Sequence, residues 1–500
     1  MMADAALIEG RRHAPERLGD VCVLGLGVSG RAVADYLLKQ PAGRVASLSV
    51  FAGRADESSP DAQALTEAGA HVVFGEHVTG SFDLCVASPG IPETSAFYQE
   101  ARAASAELIS EVELAWRESS VDARWVCITG TNGKTTTTAF LAHLLDASGF
   151  AAKACGNIGE ACIHVVSDDL FGTEEECRCG RARAYVAEVS SYQLASMRDL
   201  TPDVGVLLGI TPDHLAWHGS FEAYADAKRK MLANIERAGG VAVLDATNDV
   251  TRQEVRRLRA LPTSEAVTYI PIGAKAGIGV DMREACGSRN AAFLDGAGHL
   301  HVAYLEGEYV LIPADALKIK GAHNVVNALA AASAAIALGA DGGDVTRALA
   351  SFQPLEHRIE PVGSVGGVEF YNDSKATNVD ATLVALASFP GRSLVVMLGG
   401  RDKMGPLDEL VEACREHARA VVVYGEAADR FAEAFGDIAP PEVIRRGAFD
   451  EAFEAAAHAT EPAGVVLLSP ACASFDEFSC FEERGQRFKD LVARLARREG

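Results

Sequence analysis

The chain has 500 residues, and its composition of 48% hydrophobic and 23% charged residues is typical of globular proteins with more than one domain. Its formal net charge of −23 at pH 7 argues against a broad surface for nucleic acid or anionic membranes, because those partners select basic proteins. No apolar run reaches the roughly 18 residues of a membrane span, and none near the amino terminus resembles a signal peptide, so we predict a cytoplasmic protein.

The first segment, residues 1–118, opens with a strand, a glycine turn and a helix in VCVLGLGVSGRAVADYLLKQ. Further strand-like runs at HVVF and DLCVASPG alternate with alanine-rich helical stretches. This alternation predicts an α/β domain with a parallel sheet covered by helices.

The glycine turn of this segment has the pattern G-x-G-x-x-G, from Gly25 to Gly30. A dinucleotide site would also need an acidic residue at the end of the second strand, where Phe51 and Ala52 stand. The sequence therefore disfavours an NAD or FAD site and leaves open a nucleotide diphosphate at the helix N-terminus. The turn Ser88-Pro89-Gly90 follows a later strand and is expected to face the same cleft.

The central segment, residues 119–354, begins with the strongest chemical signal of the chain. The loop GTNGKTTT, residues 130–137, lies between a strand and a helix, which aims backbone amides and the helix dipole at an anion. We predict that Lys134 reaches the terminal phosphates of ATP and that Thr135 binds Mg²⁺. Ile128 occupies the place of the first glycine of the standard G-x-x-x-x-G-K-[ST] loop, so this is a shorter form of the motif.

Polar residues follow other predicted strands of the central segment. Glu188 ends AYVAE, and Asp213-His214 follows VGVLLGI. We expect these strand ends to meet at one sheet edge, where Glu188 could hold Mg²⁺ or make a structural hydrogen bond. Lys228 lies among charged neighbours in AYADAKRKM, and from the residues alone we interpret it as surface charge.

The central segment also contains an insertion with two cysteines and several predicted strands near its end. Cys177 and Cys179 lie in an insertion, residues 177–183, with no further ligands nearby, so plain thiols are favoured over a zinc site. The runs AAFLD, HLHVAYLEG and YVLIP predict a small antiparallel patch, and an alanine-rich helix is predicted over residues 323–338.

The third segment, residues 355–500, repeats the strand–helix rhythm at VEFYND, SLVVMLGG, AVVVYG and VVLLSPA. Two of its strand-to-helix loops are rich in small polar residues, NDSKATN at 372–378 and LSPACASF at 468–475. Helix capping accounts for each loop alone, and together they predict a substrate cleft. The expected architecture is three α/β domains in series.

These motifs, in this order, resemble the Mur ligase family of peptidoglycan synthesis. GTNGKTTT, GNIG, EVSSYQL, TPDHL, HNVVNALAA and LEHRIE are similar to its central and hinge motifs, and NDSKATN and LSPACASFDEF to those of its D-glutamate-adding branch. The resemblance runs from VLGLGVSG to FEERG. It implies a Rossmann-like N-terminal domain, a central P-loop ATPase-type domain with a mainly parallel sheet, and a Rossmann-like C-terminal domain.

The resemblance also implies an activity. The chain would be a monomer that uses ATP and Mg²⁺ to join UDP-N-acetylmuramoyl-L-alanine to D-glutamate through an acyl phosphate. Three other functions remain open. A relative such as folylpolyglutamate synthetase should lack the last two motifs, a dinucleotide-dependent oxidoreductase should have the missing ribose acid, and a nucleotide-binding regulator should hydrolyse ATP without amino-acid dependence.

Residue roles implied by the resemblance fall into five groups. The catalytic residues are Lys134, Glu188, His214 and Lys228. ATP is bound by Gly130, Thr131, Asn132, Gly133, Lys134, Thr135, Thr136, Asn324, Arg358 and Asp373. The UDP-linked substrate is bound by Gly27, Ser29, Gly30, Ser88, Pro89, Gly90 and Asn157. D-Glutamate is bound by Lys375, Thr377, Lys403, Ser474 and Phe481. Mg²⁺ is bound by Thr135, Glu188, His214 and Lys228, the last after carbamylation of its amine by CO₂.

The sequence departs from the family pattern in two places. Ala216 stands in TPDHLAWH where relatives often carry an acidic residue. The stretch from Phe51 to Arg54 matches poorly, so no individual residue is assigned to the uracil end.

Overall fold

The computed structural model describes residues 6–57, 59–75, 77–172, 180–262, 267–319, 321–402, 404–436 and 441–499. Cys177, Cys179 and Lys403 lie outside these ranges, so the interpretations given to them stay predictions. Over the described ranges the chain divides into two compact units. Unit 1 contains the residues up to Ala316 together with Val326–Ala350, and unit 2 contains Leu317–Val325 together with the residues from Ser351 onward.

The first sheet of unit 1 has, within the described ranges, five parallel strands in the order β3-β2-β1-β4-β5. These strands are β1 (Gly19–Leu24), β2 (Val45–Ala52), β3 (His71–Phe74), β4 (Phe82–Ala87) and β5 (Ser105–Ser110). The accompanying helices are α1 (Val28–Leu38), α2 (Pro60–Glu67), α3 (Ala96–Ala104) and α4 (Glu111–Glu118). This order confirms the Rossmann-like prediction. The sequence does not predict β5, because SAELIS follows an alanine-rich helical stretch and lacks a run of β-branched residues.

The second sheet of unit 1 has nine strands in the described part of the chain, in the order β14-β13-β12-β11-β10-β9-β6-β8-β7. They are β6 (Arg124–Thr129), β7 (Ala151–Gly156), β8 (Arg183–Glu188), β9 (Val204–Leu207), β10 (Val241–Asp245), β11 (Thr268–Ala276), β12 (Ala291–Leu294), β13 (His299–Tyr304) and β14 (Gly307–Pro313). The pairs β12–β13 and β13–β14 are antiparallel and the others are parallel. The predicted antiparallel patch is therefore confirmed.

Helices follow most strands of this second sheet. They are α5 (Lys134–Ala147), α6 (Cys162–Phe171), α7 (Ser191–Ala195), α8 (Leu215–His218), α9 (Phe221–Ala238), α10 (Asp249–Arg259) and α11 (Gly279–Cys286). Two further helices, α12 (Ala322–Ala337) and α13 (Gly342–Ser351), lead towards the third sheet. The bounds of α12 confirm the helix predicted over residues 323–338.

The sheet of unit 2 has six strands among the described residues, in the order β15-β16-β20-β17-β18-β19. They are β15 (Glu360–Val365), β16 (Val368–Asn372), β17 (Leu394–Gly399), β18 (Ala420–Tyr424), β19 (Glu442–Arg445) and β20 (Val465–Leu468). Only the β15–β16 pair is antiparallel in this described sheet. Its helices are α14 (Val379–Leu386), α15 (Asp408–His417), α16 (Ala428–Phe435), α17 (Phe449–Ala459) and α18 (Phe481–Glu499). The α/β fold class is confirmed, while the domain limits at residues 118 and 354, which fall between sheets, stay predictions.

Central strands of the sheets are continuous apolar runs because helices cover both faces. Every residue of β17 and of β20 is buried, and so is every residue of β6 after Arg124. Such runs are typical of parallel strands between two layers of helices. Along these strands, polar side chains therefore lie at or beyond the strand ends, where ligands bind in this class of fold. Among the described helices, none combines the length and the apolar character that crossing a membrane requires.

Helix α4 carries buried carboxylates that join the first two sheets of unit 1. Glu111 accepts a hydrogen bond from the backbone amide of Ile163, at the start of α6, over 2.7 Å. Burial raises the pKa of Glu111 to about 7, against the opposing effect of this amide and that of Cys162. Glu113 accepts a hydrogen bond from the amide of Asp199 over 3.0 Å and pairs with Arg117 over 2.6 Å.

Candidate active site

The phosphate loop follows β6 and leads into α5. Gly130 and Gly133 have φ angles of 153° and 81°, which side-chain-bearing residues rarely adopt. A Cβ atom on Gly130 would lie 2.6 Å from Leu208 Cβ, and one on Gly133 would lie 2.4 Å from Asn327 Oδ1. Both positions therefore require glycine. Because Gly133 precedes α5 and has no side chain to cap it, the arrangement suits an anion at the helix N-terminus.

Two residues of this loop fix its shape. Lys134 Nζ donates hydrogen bonds to the carbonyl oxygens of Gly130 at 3.0 Å and Thr131 at 2.7 Å. Thr131 is tied to the loop after β9, since its amide donates to Gly209 O over 2.8 Å and its hydroxyl lies 3.0 Å from Thr211 O. The side chain of Lys134 thus lies over the loop that is predicted to hold the phosphates of ATP.

Glu188 lies at the end of β8, the neighbour of β6 in the sheet. Its Oε1 accepts a hydrogen bond from Asn157 Nδ2 over 3.0 Å, and Asn157 comes from the loop after β7. Its Oε2 is buried and has no hydrogen-bond partner among the described residues. An unsatisfied buried carboxylate oxygen is costly unless a cation or water completes it. Glu188 therefore fits a site for a divalent cation.

The structure corrects the interpretation of Lys228 as surface charge. The residue is only 1% exposed, and its Nζ donates hydrogen bonds to Gly130 O at 2.9 Å and Thr129 Oγ1 at 3.3 Å. It lies 4.7 Å from the centre of the Tyr224 ring, because residues four apart on α9 share one face. The three basic residues of the run KRK point to different sides of the helix. Composition does not show which of them is buried, so the sequence alone does not identify Lys228 as a buried residue.

Charge and burial act together on Lys228. Burial lowers its pKa well below the ordinary value, and the positive charge of Lys134 lowers it further, while Asp213 and Glu188 oppose the shift. An uncharged amine at this position is a better nucleophile than an ammonium ion. Lys228 is thus a buried amine beside the phosphate loop, placed by β6 and α9.

His214 lies in an aromatic cluster after β9. Its backbone has a φ angle of 52°, and its Nε2 lies 3.4 Å from Asp213 Oδ2. The His214 ring is 5.0 Å from the ring of Tyr192, which also contacts His218 at 5.7 Å. Burial lowers the pKa of His218 to about 4, and the neighbouring basic groups of His214 and Lys228 act in the same direction. His218 is therefore neutral at pH 7, and its Nε2 lies 2.9 Å from Ser191 Oγ.

The glycine turn of the first sheet is packed closely against β4. A Cβ atom on Gly30 would lie 2.0 Å from Gly25 O and 2.9 Å from Ser88 Oγ. Ser88 Oγ is buried, and no residue in the described ranges hydrogen-bonds it. Gly27, exposed, precedes α1, and Ser29 is half-buried in its first turn. Pro89 is half-buried and Gly90 exposed.

In unit 2, the loop before β15 carries His357 and Arg358. The imidazole of His357 is buried, with Nδ1 2.9 Å from Asn372 Nδ2, and burial lowers its pKa. Asp373 follows β16, and its Oδ2 accepts a hydrogen bond from Ser469 Oγ over 2.8 Å. Burial raises the pKa of Asp373 to about 7. Asn324 also belongs to unit 2, and its amide donates to Gly321 O over 3.0 Å.

The loops predicted to bind D-glutamate meet at the start of α18. Lys375 Nζ lies 4.8 Å from the centre of the Phe481 ring. Ser374 Oγ donates a hydrogen bond to Phe481 O over 2.8 Å, which ties the loop after β16 to α18. Thr377 donates its amide to Lys375 O over 2.9 Å, and Ser474 is buried in the loop after β20.

Family models match most of this framework. The middle domain of Mur ligases matches residues 128–335, and the glutamate ligase domain of Mur ligases matches residues 357–472. A protein of Koribacter versatilis named UDP-N-acetylmuramoylalanine–D-glutamate ligase is 34% identical over 485 residues, covering 96% of this chain and 98% of its own. A protein of the same name from Salinibacter ruber is 38% identical over 483 residues, covering 95% and 97%. The chain belongs to the Mur ligase family.

Solved structures support the same fold for this Mur ligase. A pseudomurein peptide ligase type C from Methanothermus fervidus has a TM-score of 0.54 at 18% identity, covering 95% of this chain and 100% of its own. A UDP-N-acetylmuramate-alanine ligase from Thermotoga maritima has a TM-score of 0.53 at 17% identity, covering 95% and 99%. At these identities the likeness concerns the fold alone.

Sequence reasoning misses three residues that organise the site of this Mur ligase. Tyr224 places its hydroxyl 3.0 Å from Thr131 Oγ1, and Asn327 Oδ1 lies 3.2 Å from Thr137 Oγ1. Arg484 is fully buried, and its guanidinium donates to Ser374 O over 2.8 Å and to Cys472 O over 3.1 Å. The spacings Tyr-x₃-Lys and Asn-x₂-Asn, each along one helix face, are signals that could have found the first two.

Proposed function

We propose that the chain is an ATP-dependent ligase of peptidoglycan synthesis that joins D-glutamate to UDP-N-acetylmuramoyl-L-alanine, with release of ADP and phosphate. The names of its close relatives support the substrates. The observation that carries the proposal is the convergence at one sheet edge of the phosphate loop, the buried carboxylate of Glu188 and the buried amine of Lys228. A carboxylate is a poor electrophile, and such an edge suits its phosphorylation by ATP.

The reaction requires positioning and charge neutralisation rather than a protein nucleophile. The carboxylate of the UDP-linked substrate attacks the terminal phosphorus of ATP, which gives an acyl phosphate and ADP. The amine of D-glutamate then attacks the acyl carbon, and phosphate leaves from the tetrahedral intermediate as the amine loses a proton. Lys134 and the amides of the Gly130–Thr136 loop, including Asn132, would neutralise the phosphates.

A divalent cation fits the residues present. The buried oxygen of Glu188, which has no partner among the described residues, and the hydroxyl of Thr135 are oxygen ligands of the kind that bind Mg²⁺ together with phosphate oxygens. His214 offers a nitrogen, which Mg²⁺ favours less than oxygen, and its place in the ligand set rests on the family resemblance. Bound there, Mg²⁺ would supply charge neutralisation for the terminal phosphates of ATP.

Carbamylation of Lys228 is part of the proposal. Its uncharged amine would attack CO₂, forming a nitrogen–carbon bond and losing a proton, and the product is a carbamate anion. Burial of Lys228 favours the uncharged amine that this step requires. The carbamate would replace a buried uncharged amine by a buried anion near Glu188, and an anion there is a further ligand for Mg²⁺.

Unit 2 would supply the second substrate and part of the nucleotide site. We propose that Lys375 and Lys403 pair with the two carboxylates of D-glutamate, with Thr377, Ser474 and Phe481 completing the pocket. Asn324 and Arg358 would contact ATP. The family resemblance assigns Asp373 to the same site, and we propose it as a further ATP contact. Its two carboxyl oxygens also accept hydrogen bonds, from Ser469 Oγ and from the backbone amide of Ile359.

The first sheet would hold the UDP end of the substrate. A diphosphate would lie at the start of α1, beside Gly27, Ser29 and Gly30, with the turn Ser88-Pro89-Gly90 opposite. The buried hydroxyl of Ser88, which lacks a partner within the described ranges, supports this placement. Asn157 would contact the same substrate. The proposal includes a cytoplasmic location and a monomeric state, and light scattering of the purified protein tests the monomeric state.

One assay tests the function. Phosphate release is measured with ATP, Mg²⁺ and UDP-N-acetylmuramoyl-L-alanine, with D-glutamate, L-glutamate or neither added. We expect turnover that depends strictly on D-glutamate. Equal release with and without an amino acid, or a preference for L-glutamate, would contradict the proposal. Glu461→Ala, which removes an exposed carboxylate in unit 2, is a matched control expected to behave as wild type.

A further inference from the structure

The turn that presents Arg358 is held in an unfavourable backbone conformation. His357 and Ile359, the residues on either side of Arg358, have φ angles of 61° and 44°. The left-handed region is uncommon for residues with a side chain and is an outlier for a β-branched residue such as Ile. Two such residues around one arginine persist only where surrounding contacts stabilise them, and such strain gathers at functional sites.

The contacts that stabilise the turn come from two carboxylates. Glu360 Oε2 accepts a hydrogen bond from the backbone amide of His357 over 3.0 Å. Asp373 Oδ1 accepts a hydrogen bond from the backbone amide of Ile359 over 3.2 Å. Each strained residue therefore donates its amide to a carboxylate. Glu360 is also paired with Lys489, and hydrogen bonds to charged acceptors are stronger than those between neutral groups, so the bond to Glu360 can offset the backbone strain.

Glu360 is itself fixed in place by its surroundings. It is the first residue of β15 and pairs with Asn372, the last residue of β16. Asn372 Nδ2 donates to Glu360 Oε2 over 3.0 Å, and Lys489 Nζ donates to Glu360 Oε1 over 3.4 Å. The carboxylate thus accepts hydrogen bonds from the backbone of the turn, from a side chain of the neighbouring strand and from a lysine of α18.

The space around the turn is closed as well. The His357 ring packs on α18 so tightly that a Cβ atom on Gly485 would lie 2.2 Å from His357 Nδ1. The carbonyl oxygen of His357 accepts a hydrogen bond from the backbone amide of Lys375 over 3.2 Å. The turn therefore has one well-packed arrangement, in which Glu360 is a central acceptor.

We propose that Glu360 is a positioning residue for ATP, because its carboxylate holds His357 and Ile359 in the left-handed conformation that presents Arg358. The inference rests on the proposed function only in taking Arg358 as a nucleotide contact. Glu360 does not touch the substrate in this scheme. Its effect reaches ATP through the backbone of the turn.

The experiment compares Glu360→Ala with wild type in the D-glutamate-dependent assay and by calorimetric titration with ATP. Loss of an acceptor for a charge-assisted hydrogen bond predicts an ATP KM and Kd about tenfold higher or more. The KM for D-glutamate should change by less than about threefold, since only one amide of that loop contacts the turn. Unchanged ATP affinity in a folded Glu360→Ala protein would overturn the proposal.

A second pair of variants tests the role of strain. Glycine adopts positive φ readily, so Ile359→Gly should reduce the need for the carboxylate. Adding Glu360→Ala to Ile359→Gly should then raise the ATP Kd less than it does in wild type. An equal rise in both backgrounds would contradict the mechanism.

Two controls complete the design. If Glu360→Ala does not fold, Glu360→Gln takes its place, because glutamine keeps one acceptor oxygen and loses the charge. An ATP Kd raised by about threefold or more supports the proposal, and a smaller change overturns it. Glu461→Ala, an exposed partner of Arg419 in the same unit, should leave ATP binding unchanged. The titration with ATP does not depend on the amino-acid substrate, so a wrong substrate and a wrong role for Glu360 give different results.

Discussion

Two loops of unit 1 share a backbone plan and differ in chemistry. Both connect a buried parallel strand to a helix through glycines, at residues 25–30 and 130–133. Near the first loop lies the hydroxyl of Ser88, which is buried and has no partner in the described chain, whereas Lys134, Lys228 and Glu188 lie around the second loop. The plan suits holding a phosphate in both cases. The difference indicates that the side chains placed around such a loop by the adjacent strand and helices decide which chemistry the loop can support.

The largest expected effect comes from removing the charge of the second loop. Lys134→Ala should fold normally and reduce D-glutamate-dependent phosphate release by about 10³-fold or more, because the developing charge on the phosphates loses a half-buried cation. The control is Lys153→Ala, which removes a half-exposed lysine of β7 in the same sheet. Near-normal turnover of a folded Lys134→Ala protein would remove the distinction between the two loops.

Removing the buried amine should have the next largest effect. Lys228→Ala is expected to reduce turnover by about 10²-fold, since the ligand formed from its carbamate is lost. Added short-chain carboxylates should restore part of the activity by supplying an anion in the vacated space. Lys153→Ala should show neither loss nor rescue. Full activity of Lys228→Ala without added carboxylate would count decisively against carbamylation.

The first loop should respond through packing rather than through charge. In Gly30→Ala, the new Cβ atom would overlap the carbonyl oxygen of Gly25 at 2.0 Å. Overpacking of this kind should lower the free energy of unfolding by about 3 kcal/mol, measured by urea denaturation. Gly27→Ala provides the matched stability control, because nothing lies within 4 Å of its Cβ position. Equal stability of the two variants would show that the loop relaxes more readily than its contacts indicate.

The smallest expected effect concerns Glu111, which links the two sheets. The pKa of Glu111 is raised to about 7 in the folded protein, so its contribution to stability is fully present below the ordinary pKa of 4.5 and is lost as the pH rises towards 7. Glu111→Gln cannot titrate, so its free energy of unfolding should fall less than that of wild type between pH 5 and pH 8, by about 2.5 kcal/mol. Parallel pH profiles in urea denaturation would exclude this linkage.

Local patterns were sufficient to predict much of the fold and the phosphate loop. Apolar runs ending in glycine identify β1 and β6, and the alternating runs after residue 290 identify the antiparallel patch. The sequence does not predict β7 or β11, because AAKACG has no β-branched residue and TYIPIGAKA contains a proline and a glycine.

Site residues are harder to predict where their role depends on the direction in which the side chain points. Lys228 and Arg229 are adjacent in the sequence, yet Lys228 is buried and Arg229 is not, because neighbouring positions on a helix point to different sides. Nothing in FEERGQRF marks Arg484 as a structural residue. It links two loops through hydrogen bonds to Ser374, 110 residues away in sequence, and to Cys472, 12 residues away. Such pairings are set by the topology of the sheet and not by any local pattern.

Helix α9 has a consequence for how this protein can change over evolution. Tyr224 contacts Thr131 and Lys228 contacts Gly130, so two points of one helix touch two neighbouring residues of the phosphate loop. One residue inserted between them would turn one contact away from the loop by about 100°. Substitutions on the exposed side of α9 can accumulate, but insertions and deletions between these two residues would break a contact. Relatives of this protein should therefore differ in the sequence of α9 and keep the same number of residues between the two positions.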